Sequence, residues 1–195
     1  MRRWTAILAL ALVAGCGGEG GPRNEAPDPY DEPIDAPAPP PAGWRTVADT
    51  ASGFTVAAPR TWSARRRRAA TVLRSDDRLV VISIAADRGR TGRTTSPARY
   101  ARATLRSLPR FRGRISRAAG PVPGSPYRSA VVRARGRLGG ARALQRLTAA
   151  VFHRPGRVTY AAIVFRNARV KPRFNDPIVR RVLRSFRARP PYHVP

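Results

Sequence analysis

Eight prolines between Pro22 and Pro41, four glycines at Gly17, Gly18, Gly20 and Gly21, and only Tyr30 and Ile34 as large apolar side chains decide where this chain can fold. Residues 17–43 cannot bury enough surface to offset the entropy of ordering them, so the segment is expected to be a disordered tether. Its Pro-rich part favours extended polyproline II at about 3.1 Å per residue, a reach of roughly 80 Å. Residues 17–43 hold six acids, five of them interleaved with those prolines, against the single base Arg23, which favours a spacer over a proline-rich recognition ligand. The charge then reverses. Residues 44–195 hold 35 basic and five acidic residues, a net +30, and Lys171 is the only lysine in the chain. The sequence therefore divides into a leader (residues 1–15), a tether (16–43), one folded domain (44–188) and a flexible tail (189–195).

The leader opens with the cationic Met1-Arg2-Arg3 and continues through the apolar run Ala6 to Ala14. That run is far shorter than the roughly 20 residues needed to span a bilayer as a helix, and it reads as a signal-peptide core. Val13-Ala14-Gly15-Cys16 resembles the lipobox of bacterial lipoproteins: an aliphatic residue, two small ones, then cysteine. The resemblance implies diacylglyceryl transfer to the Cys16 sulfur and cleavage between Gly15 and Cys16. An ordinary cleaved signal with an incidental cysteine is the alternative, but the chain's only cysteine falls at the one position that matters. A lipidated Cys16 would anchor the protein to the bacterial cell membrane on its extracytoplasmic side, since two acyl chains suffice for stable attachment.

Within 44–188, Phe54 and Val56 alternate as in a half-buried strand that Pro59 ends, and Trp62 is placed to fold back on a core. Strands are predicted over 70–74 and 79–85 around the turn Ser75-Asp76-Asp77-Arg78, and then over 111–116, 127–135, 144–152 and 158–165. Ser96-Pro97 opens a helix with the stripe Tyr100, Ala101, Thr104, Leu105 and Leu108, ended by Pro109. Asp176 with Pro177 behind it predicts the start of a second helix burying Ile178, Val179, Val182, Leu183 and Phe186. Arg154 to Arg157 has turn chemistry, so the strands on either side should pair as a hairpin. The order predicts an α+β domain with an antiparallel sheet flanked by helices.

The residues Trp44, Gly53, Phe54, Val56, Pro59 and Trp62, followed by Val182, Leu183, Ser185, Phe186 and Arg187, resemble the two ends of PsbP/Mog1-like domains. The resemblance implies a sheet flanked by helices. Its residues are core residues, so it transfers no catalytic group, and the superfamily's binding and assembly factors imply a non-enzymatic role.

No nucleophile elbow, phosphate loop, dinucleotide fingerprint or His-Glu-x-x-His helix is present. Adjacent Asp76 and Asp77 read as turn formers, His193 lies in the tail, and one cysteine excludes a multi-cysteine zinc site. No catalytic residue, metal ligand or cofactor site is therefore assigned. The arginines remain. Arg65, Arg66, Arg67 and Arg68 form the densest run, expected in a loop, and are the candidate anion-binding residues. Arg110, Arg112, Arg114 and Arg117, and then Arg133, Arg135 and Arg137, are spaced so that residues two apart on a strand share a face. The reading is a non-enzymatic envelope protein, lipid-anchored at Cys16, that binds a partner protein or an anionic envelope polymer. An extracytoplasmic hydrolase using His153 and an extracellular nucleic-acid binder are the alternatives. Export and the absence of aromatics among the arginines disfavour nucleic acid. A GC-rich genome would also generate an arginine excess on any solvated surface, so composition alone leaves the charge unassigned.

Overall fold

Strand alternation and two amphipathic helices build the domain. The computed structural model describes residues 39–89, 94–139, 143–154 and 158–188; the leader, Cys16, most of the tether, residues 155–157 of the expected turn, and the tail lie outside them. In chain order the elements are β1 (Trp44–Asp49), β2 (Phe54–Pro59), β3 (Ser63–Arg67), β4 (Ala70–Arg74), β5 (Val80–Asp87), α1 (Pro97–Arg106), β6 (Arg112–Gly120), β7 (Arg128–Arg137), β8 (Gln145–Arg154), β9 (Val158–Asn167), α2 (Pro172–Arg184) and β10 (Arg187–Ala188). A seven-stranded sheet has the order β3-β4-β5-β9-β8-β7-β6, and a three-stranded sheet has the order β1-β2-β10. Every pairing is antiparallel. The α+β architecture read from the sequence is the one observed.

The period-2 pattern sends alternate residues to opposite faces of the large sheet. On one face Ala101, Leu105 and Leu108, from α1 and the turn that follows it, pack on Val132, Leu147, Ala149, Val151 and Ile163. On the other, β2, α2 and β10 cover Leu73, Ile82, Ile84, Phe152, Tyr160 and Val164. Phe186 centres this second core: its ring stacks on Phe152 at 4.3 Å and on Phe54 at 5.6 Å, with Tyr160 at 5.0 Å and Tyr127 at 5.9 Å. The adjoining Ser185 ties the end of α2 to β2, its hydroxyl accepting from the Ala57 amide at 2.8 Å and donating to the Val182 carbonyl at 2.7 Å. The terminal Val-Leu-x-Ser-Phe-Arg pattern is thus a latch between helix and small sheet.

Two local readings are corrected. The arginine run is not a loop: Arg65, Arg66 and Arg67 belong to β3, the edge strand of the large sheet, and only Arg68 lies in the turn to β4, with φ +53°. The second helix begins at Pro172 rather than behind Asp176, and Pro177 lies inside it. Asp176 caps nothing; its carboxylate is bound by the Arg166 guanidinium instead.

Candidate functional site: the arginine faces

Antiparallel register brings together arginines that are far apart in the chain. Arg114 lies opposite Arg135, Arg135 opposite Arg146, and Arg146 opposite Arg166. Residues directly opposite one another share a face, so these four make one row across β6, β7, β8 and β9. At about 4.8 Å per strand the row is roughly 14 Å long. Arg112 and Arg137 pair in the next row, and Arg133 lies two residues from Arg135 on the same face. Arg112, Arg114, Arg133, Arg135 and Arg137 are exposed, whereas Arg146 and Arg166 are partly buried.

The buried end of this ladder is fixed in place. Arg146 donates from Nη1 to the Val170 carbonyl at 3.1 Å, and Arg166 donates from Nη2 to Thr148 Oγ1 at 3.1 Å and pairs with Asp176. Burial, and then the positive charges of Arg146 and Arg133, push the Arg166 pKa downward. The last two reflect the crowding of like charge around Arg166. Among the described residues Asp176 is the only carboxylate paired with the array. Like charges directly opposite one another destabilise a sheet, so the row works against the fold rather than for it.

The opposite face of β6 and β7 explains how the row is held. Gly113 lies opposite Gly136, and the Phe111 ring lies over both. A Cβ on Gly136 would fall 2.5 Å from the Arg112 carbonyl oxygen and 2.5 Å from Phe111 Cε2, so only glycine permits this approach.

The candidate run Arg65 to Arg68 is divided by its strand. Arg65 and Arg67 face one side of β3 and Arg66 the other, where its Nη1 lies 3.2 Å from Asp49 Oδ1. Burial alone would raise the Asp49 pKa, but hydrogen bonds from Thr71 and Ser52, with the nearby Arg66 charge, outweigh it and hold the carboxyl below its usual range. Thr71 Oγ1 donates at 2.7 Å and the Ser52 amide at 2.9 Å. Arg66 thus serves the fold rather than a free surface.

His153 is buried at the end of β8, with Nδ1 2.8 Å from Thr159 Oγ1 across the hairpin. Burial, and then the Arg128 charge, lower its pKa. No carboxylate hydrogen-bonds to it among the described residues. Asp77 stays in its turn, Oδ1 accepting from Ser75 Oγ at 2.5 Å and from the Leu79 amide at 2.9 Å. The described residues contain no cluster of three or more metal-ligating side chains and no helix long and apolar enough to cross a membrane.

The solution structure of cyanobacterial PsbP from Synechocystis superposes with a TM-score of 0.53 at 13% identity, over 75% of this chain and 93% of that one. The domain has a PsbP-like fold. A crystal structure from Bacteroides thetaiotaomicron matches with a TM-score of 0.50 at 11% identity over 71% of this chain, which spans 46% of that protein's length. The Saccharomyces cerevisiae Ran-binding protein Mog1p aligns more loosely, at 8% identity and a TM-score of 0.47 over 74% of this chain and 95% of its own. No protein-family model matches the sequence, and no curated protein does. The arginine ladder is therefore read on its own geometry. The spacing within β6 and β7 was visible in the sequence, whereas Arg146 and Arg166, single arginines in apolar strands, were missed.

Proposed function

We propose that this chain is a non-enzymatic, extracytoplasmic protein anchored to the bacterial cell membrane by lipid at Cys16, whose folded domain binds an anionic envelope polymer. The observation that carries the reading is the in-register row Arg114, Arg135, Arg146 and Arg166, extended by Arg112, Arg133 and Arg137. A linear row of cations suits a linear polyanion, because successive phosphates or carboxylates can each meet one guanidinium. The anchored end, Arg146 and Arg166, sets the direction of the row, and the exposed end offers guanidinium forks that have no partner among the described residues. The tether would let the domain reach the polymer from the membrane surface.

Two measurements test the parts separately. Fatty-acid labelling should mark the wild-type chain and not Cys16→Ala; equal labelling would overturn the anchor. Binding to immobilised poly(glycerol phosphate) should fall at least tenfold for Arg114→Gln/Arg135→Gln/Arg137→Gln. The dispersed triple Arg60→Gln/Arg106→Gln/Arg180→Gln should lose far less, since those exposed residues lie apart, in the turn after β2, in α1 and in α2. Equal losses would mean that the charge acts only in bulk.

A further inference from the structure

A second cationic site lies on the other face of the large sheet, at its other edge. The register sets Ser63 opposite Arg74 and Arg65 opposite Val72, so Ser63, Arg65 and Arg67 share a face with Val72 and Arg74. The core under α1 is built on β7, β8 and β9, so among the described residues no helix packs on the β3-β4 part of this face. There a groove of about 260 Å³ is lined by Arg65, Arg67, Arg74 and Arg78, with Val72 in its wall and Asp76 also lining it. Arg78 reaches it from the β4-β5 turn, in a left-handed conformation with φ +60° that non-glycine residues seldom adopt. None of the four guanidinium groups makes a hydrogen bond or ion pair among the described residues, and Asp76 makes none either. The lining carries four positive charges against one negative.

We propose that this groove binds a single phosphate monoester group. It is distinct in face, edge and ligand from the polymer-binding ladder and does not rest on it. Several arginines lining one concavity suit a compact dianion with three outward oxygens, each able to accept from a different guanidinium. A carboxylate would offer two oxygens and one charge, leaving most of the cluster unpaired. The volume is below the roughly 300–1,000 Å³ of sites for drug-sized ligands, which fits a head group with a short polyol rather than a larger molecule. Ser63 adds a hydroxyl donor and Val72 a small apolar wall. Asp76 opposes the dianion by its charge and holds nothing else.

A phosphate monoester could come from a soluble metabolite or from a lipid head group, and two arms of one experiment separate them. The full chain carrying Cys16→Ala, so that acylation cannot confound the readout, is titrated with glycerol 3-phosphate by calorimetry. The same chain is sedimented with phosphatidylcholine vesicles with or without 20% phosphatidate. Arg65→Gln/Arg67→Gln/Arg74→Gln should weaken glycerol 3-phosphate binding at least tenfold, while Arg114→Gln/Arg135→Gln/Arg137→Gln changes it less than twofold. Asp76→Asn should tighten binding severalfold, a gain that misfolding cannot produce. Loss of vesicle binding in the groove variant alone would assign the lipid source, and vesicle binding that the groove variant leaves unchanged would assign the soluble one. No binding of glycerol 3-phosphate by the parent chain, equal losses in the two triple variants, or no gain in Asp76→Asn would each overturn the proposal.

Discussion

Truncating Phe186 to alanine should be among the most damaging single changes in the domain. The ring is 2% exposed and meets four other aromatic rings, with Phe152 stacked at 4.3 Å and an interplanar angle of 14°. Removing a buried phenyl ring costs about 3–5 kcal/mol, the lost transfer free energy plus the cavity left behind. The surrounding rings come from β2, β8, β9 and the segment before β7, so the site cannot collapse by moving one element. A domain of this size holds about 5–15 kcal/mol of stability, so from about a fifth to all of it would be lost. At about 2–4 °C per kcal/mol, the midpoint should fall by roughly 6–20 °C. Phe186→Leu keeps most of the apolar volume and loses the ring contacts, so it should cost only about 1–2 kcal/mol. Thermal and urea unfolding followed by circular dichroism measures both variants. A loss below about 1 kcal/mol for alanine, or equal losses for alanine and leucine, would show that Phe186 does not centre the core.

Ser185→Ala should cost about 1–2 kcal/mol in urea unfolding, because the Ala57 amide loses its acceptor in a partly buried place. Gly136→Ala should destabilise by about 1–3 kcal/mol through the clash with the Arg112 carbonyl and Phe111, and should weaken polymer binding by disturbing the β6-β7 register. The Asp49 pKa is lower folded than unfolded, so its contribution is complete above about pH 4 and is lost as pH falls through the folded value. Asp49→Asn should therefore be less stable than wild type near pH 7, with the gap closing towards pH 2; a constant gap would contradict this. His153 is also lower folded than unfolded, so stability should decline as pH drops from about 6.5 towards the folded value, and His153→Gln should remove that slope.

The legible parts of the sequence were those where burial imposes a pattern. β8 and β9 run apolar because both faces of the large sheet are covered there, β4 and β5 alternate because only one of their faces is buried in a core, and α1 shows its stripe because one side packs on β7 and β8. β3 was illegible as a strand. It is an edge strand whose arginines face water, so no apolar alternation was required and only pairing with β4 defines it. The start of α2 was misplaced because Asp176-Pro177 has the form of a cap and first turn, while the helix begins at another proline five residues earlier. The ladder could be read only within strands. Which arginines face one another depends on register, and the irregularity in β6 between Ile115 and Ala119 shifts it in a way spacing does not reveal.

The salt dependence of polymer binding tests the central claim most directly. Affinity for poly(glycerol phosphate) is measured between 50 and 300 mM NaCl for wild type and for the ladder and dispersed triple variants. Each phosphate contact on a flexible single-stranded polyanion contributes roughly 0.7 unit to the log–log slope. Losing Arg114, Arg135 and Arg137 should flatten the slope by about 2 units, while the dispersed variant stays within about 0.5 of wild type. Equal flattening in both variants would show that the +30 charge of residues 44–195 attracts the polymer from every side and that the ladder is not a site.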